Sequence, residues 1–184
     1  VQKQYSIDAN SRFTVFVNGD MGPDQDVSAH VYSDTPIVAE RPMYFNYAAI
    51  YNPGSWSGGH IVMGTDSPRK EWYFAEGCTR AGFEEWVCIQ NPNLFTATLN
   101  VTYATDIGPI QKDYQIPANS RGTLSINAEV GQDRDVSCHI SSDQDIICER
   151  PLYFDYTGYG APGWAGGSDE LGVSSPKRDW YFAE

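Results

Sequence analysis

The sequence predicts an all-β protein made of antiparallel β-sandwiches repeated in tandem, and three observations predict it. The chain repeats itself: Gln2–Tyr47 returns as Gln111–Tyr156 at a constant offset of 109 residues, which slips to 108 where Trp72 recurs as Trp180. Gly, Pro, Asn, Ser and Asp punctuate the chain at short intervals, and the runs between them alternate and are rich in Val, Ile, Thr, Tyr and Phe. Helix signals are poor, whereas 17 glycines, 11 prolines and an aromatic content of 14% suit short strands joined by turns.

The repeat sets the domain boundaries. WYFAE opens at Trp72 and returns at Trp180, so one full unit spans Trp72–Asp179. Residues 1–71 read as an incomplete first unit, without the counterpart of Trp72–Pro109, residues 72–179 as a complete one, and residues 180–184 as the first strand of a next one. A unit this long is a small domain rather than a solenoid rung. Seven strands are expected in it, near Trp72–Phe74, Glu84–Gln90, Ala97–Tyr103, Ile110–Ile116, Gly122–Ile126, Val136–Ser141 and Ile146–Phe154. Turn chemistry separates them at Asn91-Pro92-Asn93, Asp106–Pro109, Pro117–Ser120 and Gly131–Asp133. In the sixth, Val136, Cys138 and Ile140 share one face and Ser137, His139 and Ser141 the other, as a two-sheet, immunoglobulin-like sandwich requires. Pro151, like Pro42, points to an edge or a bulge.

Tyr156–Asp179 and its counterpart Tyr47–Glu71 read as long irregular segments at the junction between units. Trp164 and Trp56 are expected to pack them back and set the angle between repeats. The rival reading makes these tryptophans a ligand platform.

The four cysteines suggest two local disulfides. A hairpin centred on Asp143 sets Cys138 opposite Cys148, and both are replaced together in the first copy, by Ala29 and Ala39. Cys78 and Cys88, also ten residues apart, flank a turn at Gly82. Neither pair has zinc-site spacing. Formed disulfides place the chain in an oxidising compartment, secreted or on the cell surface.

Twelve basic against 24 acidic residues give a net charge of −12, which argues against a nucleic-acid partner. No run is long and apolar enough to enter a bilayer as a helix. The recurring Glu40-Arg41 and Glu149-Arg150, with Arg12 and Arg121, read as structural ion pairs beneath the junction segment. Asp24 and Asp26, and their counterparts Asp133 and Asp135, sit in turns where paired carboxylates are either calcium donors or ordinary turn residues. Calcium is thus the one candidate cofactor, and no metal site is otherwise expected. His30 and His139 occupy equivalent polar-face positions, and His60 has no histidine counterpart. The convergent acids, bases and nucleophiles of a catalytic pocket are not evident, so an enzyme is not expected.

The segments WYFAEGCTRAGFEEWVCIQNPN, PANSRGTLSINAEVG, DVSCHISSD, ICERPLYF and GWAGGSDELGVSSPKRDWYFAE together resemble a tandem β-sandwich repeat of bacterial secreted and cell-surface proteins. The resemblance covers essentially the whole chain and implies a location and an architecture, with no catalytic residues. The expected function is a structural one: a stalk, surface layer or filament of head-to-tail units whose partners are neighbouring copies. The alternative is a carbohydrate- or cell-wall-binding module using Trp56 and Trp164.

Overall fold

The computed structural model describes residues 1–52, 54–156 and 163–183. They fall into two units, Val1–His30 and Val31–Glu184.

The first unit holds one short helix, α1 (Val17–Met21), among turns. Asn10, Gly22 and Asp24 adopt left-handed backbone, with φ of 55°, 85° and 58°. Their repeat counterparts Asn119, Gly131 and Asp133 have φ of 49°, 86° and 66° and surround the matching helix, α2 (Ile126–Val130). The local sequence therefore dictates the same turns twice. The core does not form twice. Ile7, Val17, Val31 and Ile37 are exposed, whereas their counterparts Ile116, Ile126, Ile140 and Ile146 are buried. Turn geometry is local; burial needs strands from elsewhere in sequence.

The second unit opens with a hairpin, β1 (Glu40–Ala48) and β2 (Ser55–Met63). There follow β3 (Arg69–Phe74), β4 (Phe83–Asn91), β5 (Ala97–Thr105), β6 (Gly108–Ile116), β7 (Ser120–Ser125), α2, β8 (Val136–Tyr156) and β9 (Trp164–Leu171). Strands β6-β5-β8-β4-β7 lie side by side, and β3 and β9 also pair with β8. All pairings are antiparallel. The all-β prediction holds. The sheet is a curled half-barrel, not two clearly separate facing sheets.

The cause is β8. Val136–Ser141 and Ile146–Phe154 were expected to form a hairpin, but they belong to one 21-residue strand. Its first part lies between β3 and β5, its second between β4 and β9. The polar residues read as a turn serve a bulge instead. The Ser142 hydroxyl accepts the Gln144 N–H over 3.2 Å, and the Asp143 carboxylate accepts the Thr98 N–H over 2.8 Å. The register of β3 slips at the same place, pairing Arg69 with Ile146 but Glu71 with Ser141.

This removes the predicted disulfides. Cys138 and Cys148 sit on one strand, on either side of the bulge, and all four cysteines are free thiols. Cys88 lies on β4, where its neighbour Ile89 opposes Cys148, while Cys78 forms a bridge with Asp135. The curl of the sheet encloses a core that includes Trp72, Val87, Leu99, Tyr103, Ile126 and Ile140.

Tyr47–Glu71 and Tyr156–Asp179 are not irregular throughout, because each carries a strand, β2 or β9. β1 with β2, and the second part of β8 with β9, form the same hairpin twice. Tyr44 faces Gly59 and Phe45 faces Gly58, and in the second copy Tyr153 faces Gly167 and Phe154 faces Gly166. Each ring lies over the opposing glycine, where a Cβ would meet ring carbon at 2.9–3.1 Å. Aromatic cover of a cross-strand glycine is a known means of fixing register.

Candidate functional site

The densest cluster of long-range polar contacts lies where the first hairpin meets the second repeat. Alternation along β1 puts Phe45 and Tyr47 on one face, both toward β8. Tyr47 stacks on Tyr153 at 4.5 Å between ring centroids, and Phe45 meets the same ring edge-on at 4.9 Å. Phe45 also reaches over Gly167 of β9, and the backbone of Gly58 comes close to that of Gly166. Trp56 on β2 is 1% exposed in this seam.

The polar anchor is Glu84, fully buried on β4. Its carboxylate accepts five hydrogen bonds from the hairpin: Tyr47 Oη at 2.6 Å, the N–H groups of Ile50, Tyr51 and Asn52 at 3.0, 2.6 and 3.2 Å, and Asn52 Nδ2 at 3.3 Å. Three successive backbone N–H groups on one carboxylate form an anion-binding nest. Asn52 closes the loop by accepting the Gly82 N–H at 2.7 Å. Burial, then the bond to Glu84, raise the Tyr47 phenol well above its ordinary range.

A second anchor is ionic. Arg41 of β1 pairs with Glu149 at 3.1 Å and with the buried carboxylate of Asp169 on β9. Burial pushes both carboxyl groups up, and Arg41 pulls them back. His60 lies beside Phe45 and Tyr153; burial lowers its pKa, opposed by Asp169. Both its ring nitrogens lack a hydrogen-bond partner.

The predicted residues are thus distributed unevenly. Arg41 and Glu149 meet, but across the two copies rather than within one. Arg150 pairs instead with Glu170 at 3.0 Å and donates to the Glu76 carbonyl. Arg121 donates toward Cys88 Sγ at 3.3 Å, Arg12 toward Thr14 Oγ1 at 3.0 Å, and Glu40 is exposed. Trp56 is a junction residue, while Trp164 is 63% exposed. Asp135 is paired with Arg80, Asp133 sits in a left-handed turn, and Asp24 and Asp26 line a cavity of about 320 Å³ in the first unit. Among the described residues no group of three or more His, Cys, Asp or Glu side chains is arranged to hold a metal ion. Sequence reading gave Glu84 no role and noted His60 only as lacking a histidine counterpart. The available signal for Glu84 was the Glu84-Glu85 pair: adjacent residues on a strand face opposite ways, so at least one of the two turns inward on any packed strand, and here both are buried.

No protein-family model and no curated protein matches the chain. Among solved structures, "Crystal Structure of Thermotoga maritima 1070" superposes with a TM-score of 0.51 at 16% identity, covering 59% of this chain and 96% of that one. The Anabaena sensory rhodopsin transducer aligns with a TM-score of 0.42 at 23% identity, over 47% of this chain and 99% of its own. The first likeness is one of fold alone.

Proposed function

We propose that this chain is a structural repeat protein whose β units couple head to tail, as in a stalk, surface layer or filament, with neighbouring copies as its partners. The observation that carries the reading is the Glu84 nest. A fully buried carboxylate of one repeat is spent on the loop of the preceding hairpin. A buried carboxylate is costly unless fully hydrogen-bonded, so this arrangement makes a specific joint rather than a loose linker. The duplicated hairpin register supports the same joint at each boundary. In this reading each complete unit is a sandwich-like module of the immunoglobulin kind, without a catalytic role. Placement outside the cell rests on the family resemblance, since the four thiols lend it nothing.

Hydrogen exchange read by mass spectrometry tests the joint. In the parent chain the β1–β2 hairpin and the β4–β8 core are expected to open together. In Glu84→Ala the hairpin is expected to exchange about tenfold faster or more. A parent hairpin that opens independently of the core overturns the reading.

The exposure of Trp164 favours a second reading, a glycan-binding module. Saturable binding to cell-wall polysaccharide that is lost in Trp164→Ala would establish it.

A further inference from the structure

The two hairpins of this chain touch at equivalent residues. Gly58 and Gly166 are counterparts in the repeat, and each faces the same phenylalanine of its own hairpin, Phe45 or Phe154. A Cβ built on Gly58 would stand 3.1 Å from the Cα of Gly166. With one carbon–carbon bond added, the two Cα atoms lie no more than about 5 Å apart. Facing sheets normally stand about 10 Å apart. Two glycines at the crossing let these backbones approach to half that distance.

This contact sets a geometric limit. The hairpins share one register along their length, from Glu40↔Met63 and Glu149↔Leu171 to Tyr47↔Trp56 and Tyr156↔Trp164. A single rotation, with a shift along its axis, therefore carries the first hairpin onto the second. That shift cannot exceed the displacement of any equivalent point. The Gly58–Gly166 pair thus caps the rise at about 5 Å per repeat. A compact unit the size of Trp72–Asp179 is about 35 Å across. Bodies that wide cannot follow one another at so small a rise unless each is turned well away from the last. The step can also recur, because the two hairpins meet by different faces. The first offers Phe45 and Tyr47, and the second receives them on Tyr153 and Gly167. Heterologous contacts of this kind close into rings or wind into helices.

We infer that repeats coupled by this joint wind around an axis running close to the glycine crossing. The hairpins stack as a central spine, and the half-barrels fan out around it in a ring or a flat spiral. The inference rests on the reading of the chain as coupled repeats, and narrows it by leaving out the straight stalk.

The test is small-angle X-ray scattering on the parent chain and on chains lengthened by one and by two further copies of Trp72–Asp179, inserted before Trp180. The second added copy is expected to raise the maximum dimension by less than about 20 Å, whereas a straight row of bodies gains about 35 Å per copy. A gain of about 20 Å or more overturns the inference. A second measurement needs only the parent chain. Ser57 and Ala165 are exposed counterparts beside the crossing. Spin labels on Ser57→Cys and Ala165→Cys together are expected to show strong dipolar broadening against the sum of the two single-labelled spectra, and its absence also overturns the inference. The exchange experiment on Glu84 asks whether the hairpin opens with the core, and the scattering asks where the next body lies, so either result can fail without the other.

Discussion

Tyr47 donates its phenolic proton to Glu84 across 2.6 Å, joining a strand of the first hairpin to a buried strand of the repeat that follows. The same carboxylate gathers the N–H groups of residues 50–52. Removing it by Glu84→Ala leaves these part-buried donors without their acceptor, at up to about 1–3 kcal/mol each before water and relaxation offset it. A total loss on the order of 4 kcal/mol is expected by chemical denaturation. Tyr47→Phe removes one donor and keeps the stack on Tyr153, so its cost is about 1 kcal/mol. Equal losses for the two variants would show that the nest is not the anchor.

Glu85, the neighbour of Glu84 on β4, gives a distinct pH signature. Burial pushes its carboxyl from 4.5 up to about 8, partly opposed by Arg150 and by the Cys78 N–H. Between those two values the unfolded chain gives up a proton that the folded chain retains. Stability therefore falls as pH rises from about 4.5 to 8, and levels off above. Glu85→Gln keeps an acceptor for the Cys78 N–H and cannot ionise. It is expected to match the parent near pH 4 and to exceed it by on the order of 3 kcal/mol at pH 8. Urea denaturation at pH 4, 6 and 8 measures this, and parallel pH profiles would refute it.

Much of this fold was legible in the sequence, and the failures share a cause. β3 to β6 lie where alternation and turn residues placed them, because period two on a half-buried sheet is a local signal. The Asn91-Pro92-Asn93 turn holds because Asn91 caps it, donating to the carbonyls of Phe95, Ile116 and Pro117. β2 and β9 read as loop because their glycines carry no side-chain pattern; their register comes from rings on the opposite strand. Ser142–Asp145 read as a turn because a bulge and a turn use the same polar residues. Glu84 read only as the start of a strand, because nothing local reveals that a loop more than thirty residues earlier supplies its donors.

The ionic anchor separates burial from pairing. Asp169 and Glu149 both have raised carboxyl pKa values, through burial first, with Arg41 holding them down. Arg41→Ala raises them further, so the variant keeps most of its stability near pH 4 and loses it as pH climbs. The Arg41 side chain is 43% exposed, and solvent screening reduces the effect to about 2 kcal/mol at pH 8. A double-mutant cycle of Arg41→Ala with Asp169→Asn measures the coupling. A coupling energy of zero at pH 8 would assign the loss to something other than the pair.

The cysteines answer to reagents rather than to pH. Burial pushes the Cys138 thiol up to about 12 and raises Cys148 well above its ordinary value. Both are therefore protonated and shielded at neutral pH, and thiolate is the reactive form. Dithiothreitol is expected to leave the melting temperature unchanged, and an alkylating reagent at pH 8 is expected to reach Cys138 and Cys148 only after unfolding. A melting temperature lowered by the reductant would show that a disulfide had formed.

The glycine seam is the most stringent steric test of the joint. A Cβ on Gly167 would stand 2.9 Å from Phe45 of the first hairpin and 3.0 Å from Tyr153 of its own, inside normal contact distance for both rings. Gly167→Ala must push Phe45 off Tyr153, and overpacking of this kind costs about 1–3 kcal/mol. Gly59→Ala crowds the Tyr44 ring, which is solvent-exposed and free to swing aside, and the Met43 carbonyl oxygen at 3.0 Å, which must give by a few tenths of an ångström, so its cost is expected to be the smaller of the two, about 1 kcal/mol. The two substitutions are chemically identical and sit at equivalent places in the two hairpins. The larger obstacle at Gly167 is the pair of packed rings, Phe45 from the other hairpin and the buried Tyr153, so equal melting temperatures for the two variants would mean that Phe45 does not seat on Gly167.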